Sequence, residues 1–477
     1  MRAQFITHNR GAVRDILAYV LILTICGAAI WLTLVTGRSL QTHDAIEHVS
    51  PAAQGNGSIA KTLNDNLHGP LATLLAQIIL IVLISRALGN AAAMIGQPQV
   101  AGEMIAGILL GPSFLGQISP AAMDALFPAS SMDTLRMFSQ IGVILFMFLV
   151  GTDVDLQHLF QKAHTAVLVS HASIIIPFFL GTTLSLLIYR SMAPPSVPFT
   201  AFALFMGVAM SITAFPVLAR IVEERGLTQS SLGIMSLGCA AIDDVTAWCI
   251  LAGVLAIVKS DGFGGSILTM LLILIYASVM ILLLKPFLRR LAPSGSGSRH
   301  QYNSWAALIL AFALAAGLAT EVIGVHALFG AFLAGVIIPP GGLRAFCKER
   351  FESVASGLLV PLFFVFTGLR TQINLLNSVS AWLIFGAVIT AAVAGKLGGS
   401  MLAARWSGMK WRDSFALGAL MNTRGLMELI VLNIGYDLGI LSSQIFAILV
   451  LMAITTTLMT APLLWLAQRG ETHPEAH

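Results

Sequence analysis

The sequence predicts an all-α polytopic membrane protein, and three observations carry that prediction. Of its 477 residues, 57% are hydrophobic and only 10% charged, with a mean hydropathy of +0.87; soluble globular domains do not have this composition. The apolar residues form continuous runs rather than alternating, which favours helices over a barrel. The basic residues, finally, are divided unevenly between alternate loops.

The first apolar run, about 16–35, follows Arg2, Arg10 and Arg14. It is long for a signal-peptide core and no small-x-small site follows it, so a retained helix is expected, with a cleaved signal peptide as the alternative. Residues 1–37 are therefore read as a cytoplasmic tail plus an extra transmembrane helix, and 38–70 as a polar extracytoplasmic loop. Thirteen further runs lie near 71–88, 98–116, 137–152, 164–189, 198–222, 230–258, 265–288, 303–321, 323–340, 355–369, 378–404, 412–436 and 440–467. Together they make a membrane domain over 71–467, followed by a short tail, 468–477.

With the N-terminus in the cytoplasm, 18 Lys and Arg residues fall on the cytoplasmic side. Only Arg38, Lys61, Arg136, Arg190, Lys259 and Arg370 fall outside. That asymmetry places both termini in the cytoplasm of a multi-pass protein of the cell (inner) membrane. The two remaining cations, Lys396 and Arg424, lie within spans. The four cysteines show no metal-ligand spacing, and Cys239 and Cys249 stand about 15 Å apart on one helix, too far to bridge.

Asp243 and Asp244, in AAIDDVTAW, interrupt a run from Ser230 to Val258 that otherwise holds no charge. A single Asp at mid-membrane costs about 2.5–3.5 kcal/mol on insertion scales. Two in succession need partners, water, bound cations or protons. A single structural hydrogen bond to a neighbouring helix is the plainer explanation, and it accounts for one carboxylate better than for two.

Two further signals point to transport. GEMIAGILLGP (102–112) resembles GAFLAGVIIPP (330–340), and LFMFLVGTDVDL (145–156) resembles LFFVFTGLRTQINL (362–375). On the predicted topology the members of each pair cross in opposite senses, the mark of an inverted repeat. Breakers also stand in corresponding places. Ser211, Thr213 and Pro216 interrupt one span, and Asn422, Thr423, Arg424 and Gly425 interrupt another. A paired interruption points to a mid-membrane ion site, whereas Pro216 alone would mean only a kink.

Several stretches together resemble one family, the monovalent cation–proton antiporters of the second branch, and most of all its Kef-like and CHX-like exchangers. They are QPQVAGEMIAGILLGPSFLG (97–116), MSITAFPVLARI (210–221), AAIDDVTAW (240–248), GVHALFGAFLAGVIIP (324–339), PLFFVFTGLRTQI (361–373), AGKLGGS (394–400) and MNTRGLMELIVLNIG (421–435). The resemblance runs across about 71–466 and leaves out the N-terminal span and loop. It implies an inverted-repeat antiporter bundle with two crossing broken helices, about 13 core spans plus the extra one, working as a homodimer without a cofactor. The chain ends at His477, so the regulatory nucleotide-binding domain of Kef-type exchangers is not expected, and no G-x-G-x-x-G motif is found.

The resemblance assigns the exchanging carboxylate to Asp244. Burial disfavours a charged carboxylate and a cation favours it, so proton and cation compete for one group. Asp243 is 100° around the helix and faces another partner, which the resemblance makes Lys396. Snorkelling of Lys396 to the surface is awkward, since Arg405 lies nine residues further on. Thr213 and the backbone of Ser211–Pro216 are expected to offer neutral oxygens to a cation beside Asp244. Asn422, Thr423 and Arg424 line the second break, where Arg424 either neutralises helix ends or pairs with Glu428. Glu103 is either an entry carboxylate or a helix cap. His171, His326, Glu321, Asp153 and Asp155 are read as packing or surface residues.

The expected function is exchange of Na⁺ or K⁺ for H⁺ by alternating access. The alternative is a Na⁺-coupled symporter of an organic solute, which would need more polar residues than are seen. An intramembrane aspartyl protease is excluded, because adjacent aspartates cannot face each other. Lipid, the two cations and H⁺ are the expected partners; nucleic acid is not.

Overall fold

The computed structural model describes residues 66, 69–153, 163–227, 230–259, 263–291 and 299–468. The extra span expected at 16–35, nearly all of the 38–70 loop, Asp155 and the tail after Gln468 lie outside them. All regular structure among the described residues is helical.

In chain order the main helices are α1 (Pro70–Met94), α2 (Gln99–Leu110), α3 (Ala129–Asp153), α4 (Ala163–Met192), α5 (Phe199–Ser211), α6 (Phe215–Glu224) and α7 (Ser231–Lys259). Next come α8 (Phe263–Ser278, continued by a π turn and Lys285–Leu291), α9 (Arg299–Ile323), α10 (Ala327–Ile337), α11 (Gly342–Val354) and α12 (Val360–Arg370). The last are α13 (Val379–Val393), α14 (Gly399–Trp406), α15 (Trp411–Met421), α16 (Leu426–Asp437) and α17 (Ser443–Gln468).

Among the described residues ten helices are long and apolar enough to cross a bilayer, and eleven when α15 and α16, bent by 43° at their junction, count as one span. Every run expected between 71 and 467 has a helical counterpart. The expected spans at 198–222 and 323–340 differ in form: the first is divided into α5 and α6, and the second is only the 11-residue α10.

Both interruptions have local causes. Continuing α5 into α6 would drive the Pro216 ring against the carbonyl of Ile212. The chain leaves the helix at Ile212, re-enters at Phe215, and puts Pro216 in the first turn, where no N–H is needed. At the second break Asn422 ends α15 and Gly425 precedes α16. A Cβ on Gly425 would stand 2.8 Å from the Val217 side chain, so this position sets how closely the two breaks approach.

The helices pack as two groups. One contains α1, α2, α3, α9, α10 and α12; the other contains α4 to α7 and α13 to α17. Apolar side chains gain little by leaving lipid for protein, so close backbone contact at small residues does much of the joining. In the first group Gly107 of α2 lies against Gly368 of α12, and Gly151 of α3 against Gly335 of α10. A methyl on Gly335 would fall 2.0 Å from the Phe148 carbonyl oxygen, which is backbone and cannot swing aside.

Gly335→Ala should therefore lower the melting temperature in detergent by an amount equivalent to about 1–3 kcal/mol. Gly386→Ala, a helix position with open space around it, should leave it unchanged or slightly raised. Equal behaviour of the two variants would refute the packing argument.

Candidate ion-binding site

The two breaks meet. The Ala214 N–H donates to the Thr423 carbonyl at 3.2 Å, joining one interruption to the other through backbone alone. Neighbouring helices satisfy what the breaks set free. Thr457 of α17 donates to the Arg424 carbonyl at 2.6 Å and accepts from the Arg424 N–H at 3.1 Å. Thr423 and Thr460 share a hydroxyl bond at 3.2 Å.

Five ionisable side chains are wholly buried around this crossing: Asp243, Asp244, Lys396, Arg424 and Glu428. Lys396 sits in a π turn, Ala394–Gly398, between α13 and α14, an irregularity frequent at functional sites. Its Nζ lies 3.0 Å from Asp243 Oδ2 and donates to the carbonyls of Ser211 at 2.6 Å and Ser173 at 2.9 Å. The cation is thus shared between a carboxylate and the carbonyl end of α5, where the helix dipole favours positive charge.

Asp243 is heavily bonded. Ser170 donates to its Oδ1 and Ser173 to its Oδ2, each at 2.5 Å, and Thr213 donates to Oδ2 at 2.7 Å. This corrects the expectation for Thr213, whose hydroxyl serves Asp243 and not Asp244. The reason is angular: adjacent residues of α7 point 100° apart, and Thr213 meets Asp243 while the Phe215 N–H meets Asp244. Ser211 enters through its carbonyl, while its hydroxyl returns to the Val208 carbonyl at 2.9 Å.

Arg424 does both things considered for it. Its Nη1 and Nη2 donate to the carbonyls of Ala209 (2.9 Å) and Met210 (2.7 Å) in the last turn of α5. Its Nη1 also lies 3.2 Å from Glu428 Oε2, one helical turn on. The ion pair lacks hydrogen-bond alignment at the carboxylate.

Asp244 stands apart. Neither of its oxygens has a side-chain donor. The backbone group that acts on it is the N–H of Phe215, at the positive N-terminal end of α6. Asn422, equally buried, also has no partner for its amide nitrogen or oxygen.

A cavity of about 510 Å³ approaches the breaks from one side. Phe215 and Leu426, the first residues of α6 and α16, line it, together with Glu103, Arg220 and Lys348. Glu103 lies beyond the first turn of α2, within electrostatic range of Arg86 and Arg220. It is therefore not the helix cap considered for it. His326 instead caps α10, and Glu321 accepts from the Ala327 N–H at 2.9 Å.

The sequence reading missed Ser170, Ser173, Thr457 and Thr460. Polar residues three apart in apolar helices, as in VSHAS and ITTTLMT, were the available signal.

Two broken helices meeting at buried ionisable groups inside a bundle of apolar spans define a membrane ion transporter rather than an enzyme. A family model described as "Sodium/hydrogen exchanger, transmembrane" matches residues 79–466. The chain belongs to that family. It is 42% identical over 395 residues to the Na(+)/H(+) antiporter NhaS4 of Synechocystis sp., covering 82% of this chain and 96% of the relative. It is 32% identical over 409 residues to the K(+)/H(+) antiporter 1 of Saccharomyces cerevisiae, covering 83% of this chain and 46% of that one. The chain spans about half the length of the yeast and Arabidopsis thaliana relatives it matches. Its fold is similar to that of the solved sodium proton antiporter MjNhaP1 of Methanocaldococcus jannaschii, with TM-score 0.62, 16% identity, and coverage of 85% of this chain and 100% of that one.

Removing one partner of a buried ion pair costs about 3–5 kcal/mol, while removing both costs far less. Lys396→Met should therefore lower the melting temperature sharply, and adding Asp243→Asn should restore part of the loss. A double variant whose loss equals the sum of the two single losses would show that the pair carries no coupling.

Proposed function

We propose that Asp244 is the exchanging group of this cation/proton antiporter, alternately carrying H⁺ and a monovalent cation. One observation carries the reading. Of the five buried ionisable groups, four form two opposite-charge pairs, Asp243–Lys396 and Arg424–Glu428. Asp244 has no counter-charge in contact and no side-chain donor, only the Phe215 N–H at the start of α6. A carboxylate so placed needs a proton or a cation, and its alternation between the two is the exchange.

Asp243 and Lys396 act as a positioning pair. They tie α7 to the carbonyl end of α5, so the first break keeps its shape whichever ion Asp244 holds. Thr213 belongs to that scaffold. Asn422, buried without a partner at the second break, supplies neutral donors and acceptors there. The transported ion is Na⁺ or K⁺, in line with the names of the relatives. Family membership decides for antiport over the organic-solute symport considered above.

The finer architecture follows the same reading. The contact Gly107–Gly368 joins the first segment of one sequence repeat to the second segment of the other, and Gly151–Gly335 does the reverse. This exchanged pairing supports an inverted repeat. With α5–α6 and α10 also crossing, the core has 13 spans. The two helix groups move against each other to expose Asp244 alternately. Under the orientation read from the basic residues, in a cell (inner) membrane with both termini cytoplasmic, the 510 Å³ cavity is the inward-open path. The family resemblance adds a homodimer.

In everted vesicles, Na⁺ or K⁺ should collapse a preformed pH gradient, and Asp244→Asn should abolish the collapse while keeping a wild-type melting temperature. Undiminished exchange in that variant would sink the assignment.

A further inference from the structure

Three helices, α3, α12 and α16, run from the 510 Å³ cavity to the opposite face. Near one end Phe146 and Leu149 of α3, Phe364 of α12 and Leu426 of α16 line that cavity. Toward the other end Gln140 of α3, with Asn433 and Asp437 of α16, line a second space of only about 30 Å³, room for about one water. The length of α16, about 16 Å, separates Leu426 from Asp437. The space between these helices at the second face is therefore far smaller than at the first.

That end carries a polar cluster that none of the transport chemistry uses. Asp437 ends α16 and takes two arginines from the other helix group. Arg136 of α3 lies 2.9 Å from its Oδ2, and Arg370 of α12 is hydrogen-bonded to its Oδ1. Arg370 also donates to Asn433 Oδ1 at 2.9 Å, and its guanidinium stacks on the Tyr436 ring at 4.5 Å. An acidic residue at a helix C-terminus opposes the helix dipole. Asp437 is unfavourable for α16 alone, and its partners across the boundary offset that. The two contacts differ in weight. Arg136 is 40% exposed, and such a pair contributes little; Arg370 and Asp437 are 16% and 17% exposed and held in a larger network.

We infer that Asp437 and Arg370 are positioning residues for the exchange cycle, a latch that sets how much of the protein is open to the face opposite the large cavity. For that face to open, α16 has to part from α3 and α12, and these bonds join them. The inference rests on the alternating-access reading above, and its test separates the two.

The experiment uses the full chain in membrane vesicles of both orientations, with the four native cysteines replaced and exchange verified. The thiol introduced by Val143→Cys reports on the small cavity and that introduced by Ser356→Cys on the large one, each labelled with a membrane-impermeant maleimide. Asp437→Asn should raise the ratio of Val143→Cys to Ser356→Cys labelling about tenfold, the shift produced by losing one charge-assisted pair. Arg370→Ala should do the same, Arg136→Ala should raise the ratio about two- to threefold, and Asp437→Glu should restore the starting ratio. Should Asp437→Asn fail to fold, Arg370→Ala, which removes the better-held partner and leaves Asp437 in place, decides between the outcomes. An unchanged ratio with exchange intact overturns the latch and leaves antiport standing. Absence of exchange in the chain with its native cysteines overturns antiport itself.

Discussion

A buried carboxylate without a counter-charge in the middle of an apolar bundle, which the proposed function makes alternately neutral and ionised, is the constraint on which this structure depends. Such a group cannot be given a permanent partner, because a fixed cation or a full set of donors would hold one charge state. The protein solves this by dividing the work between neighbours on one helix. Asp243 takes the fixed partners, three hydroxyls and Lys396. Asp244, 100° away, is left with the weak field of a helix N-terminus. Each turn of α7 has two sides, and the aspartate pair uses both.

The same division explains why broken helices are needed. An unbroken helix offers no free carbonyls or N–H groups at mid-membrane. The breaks supply both, and the cations are placed on the carbonyl side. Lys396 and Arg424 hold the last carbonyls of α5 at Ala209, Met210 and Ser211, so positive charge meets the negative helix end. Each cation then pairs with one carboxylate, Asp243 or Glu428. The crossing is neutral apart from Asp244, which under the proposed function is completed by the ion it carries.

Close packing at glycine joins helices tightly within one group, whereas the boundary between groups combines apolar side-chain packing, such as Trp248 on Phe332, with polar contacts near one end. Backbone wedged against backbone, as at Gly151 and Gly335, does not slide. An ion pair such as Arg370–Asp437 can open and re-form. That contrast is what a transporter with one rigid element moving against another requires.

Much of this protein was legible in the order of its residues. Continuous apolar runs specify the helical class and nearly every segment, because the cost of exposing peptide groups to lipid leaves few alternatives. The aspartate pair, Lys396 and the two breaks were legible because charge and Pro are conspicuous within apolar spans. Ser170 and Ser173 were not conspicuous, since serine in an apolar helix usually bonds its own backbone. The run at 323–340 gave no sign that its helix, α10, would be only 11 residues long, because composition does not record where a helix stops. The partners of the polar groups came from packing instead. Thr213 went to Asp243 rather than Asp244, Arg424 reached back to α5, and Arg370 found Asp437 67 positions along the chain. The hydrophobic pattern fixes which segments enter the membrane, but the direction a polar side chain faces depends on rotation and crossing of whole helices. Those are set by contacts between segments far apart in sequence.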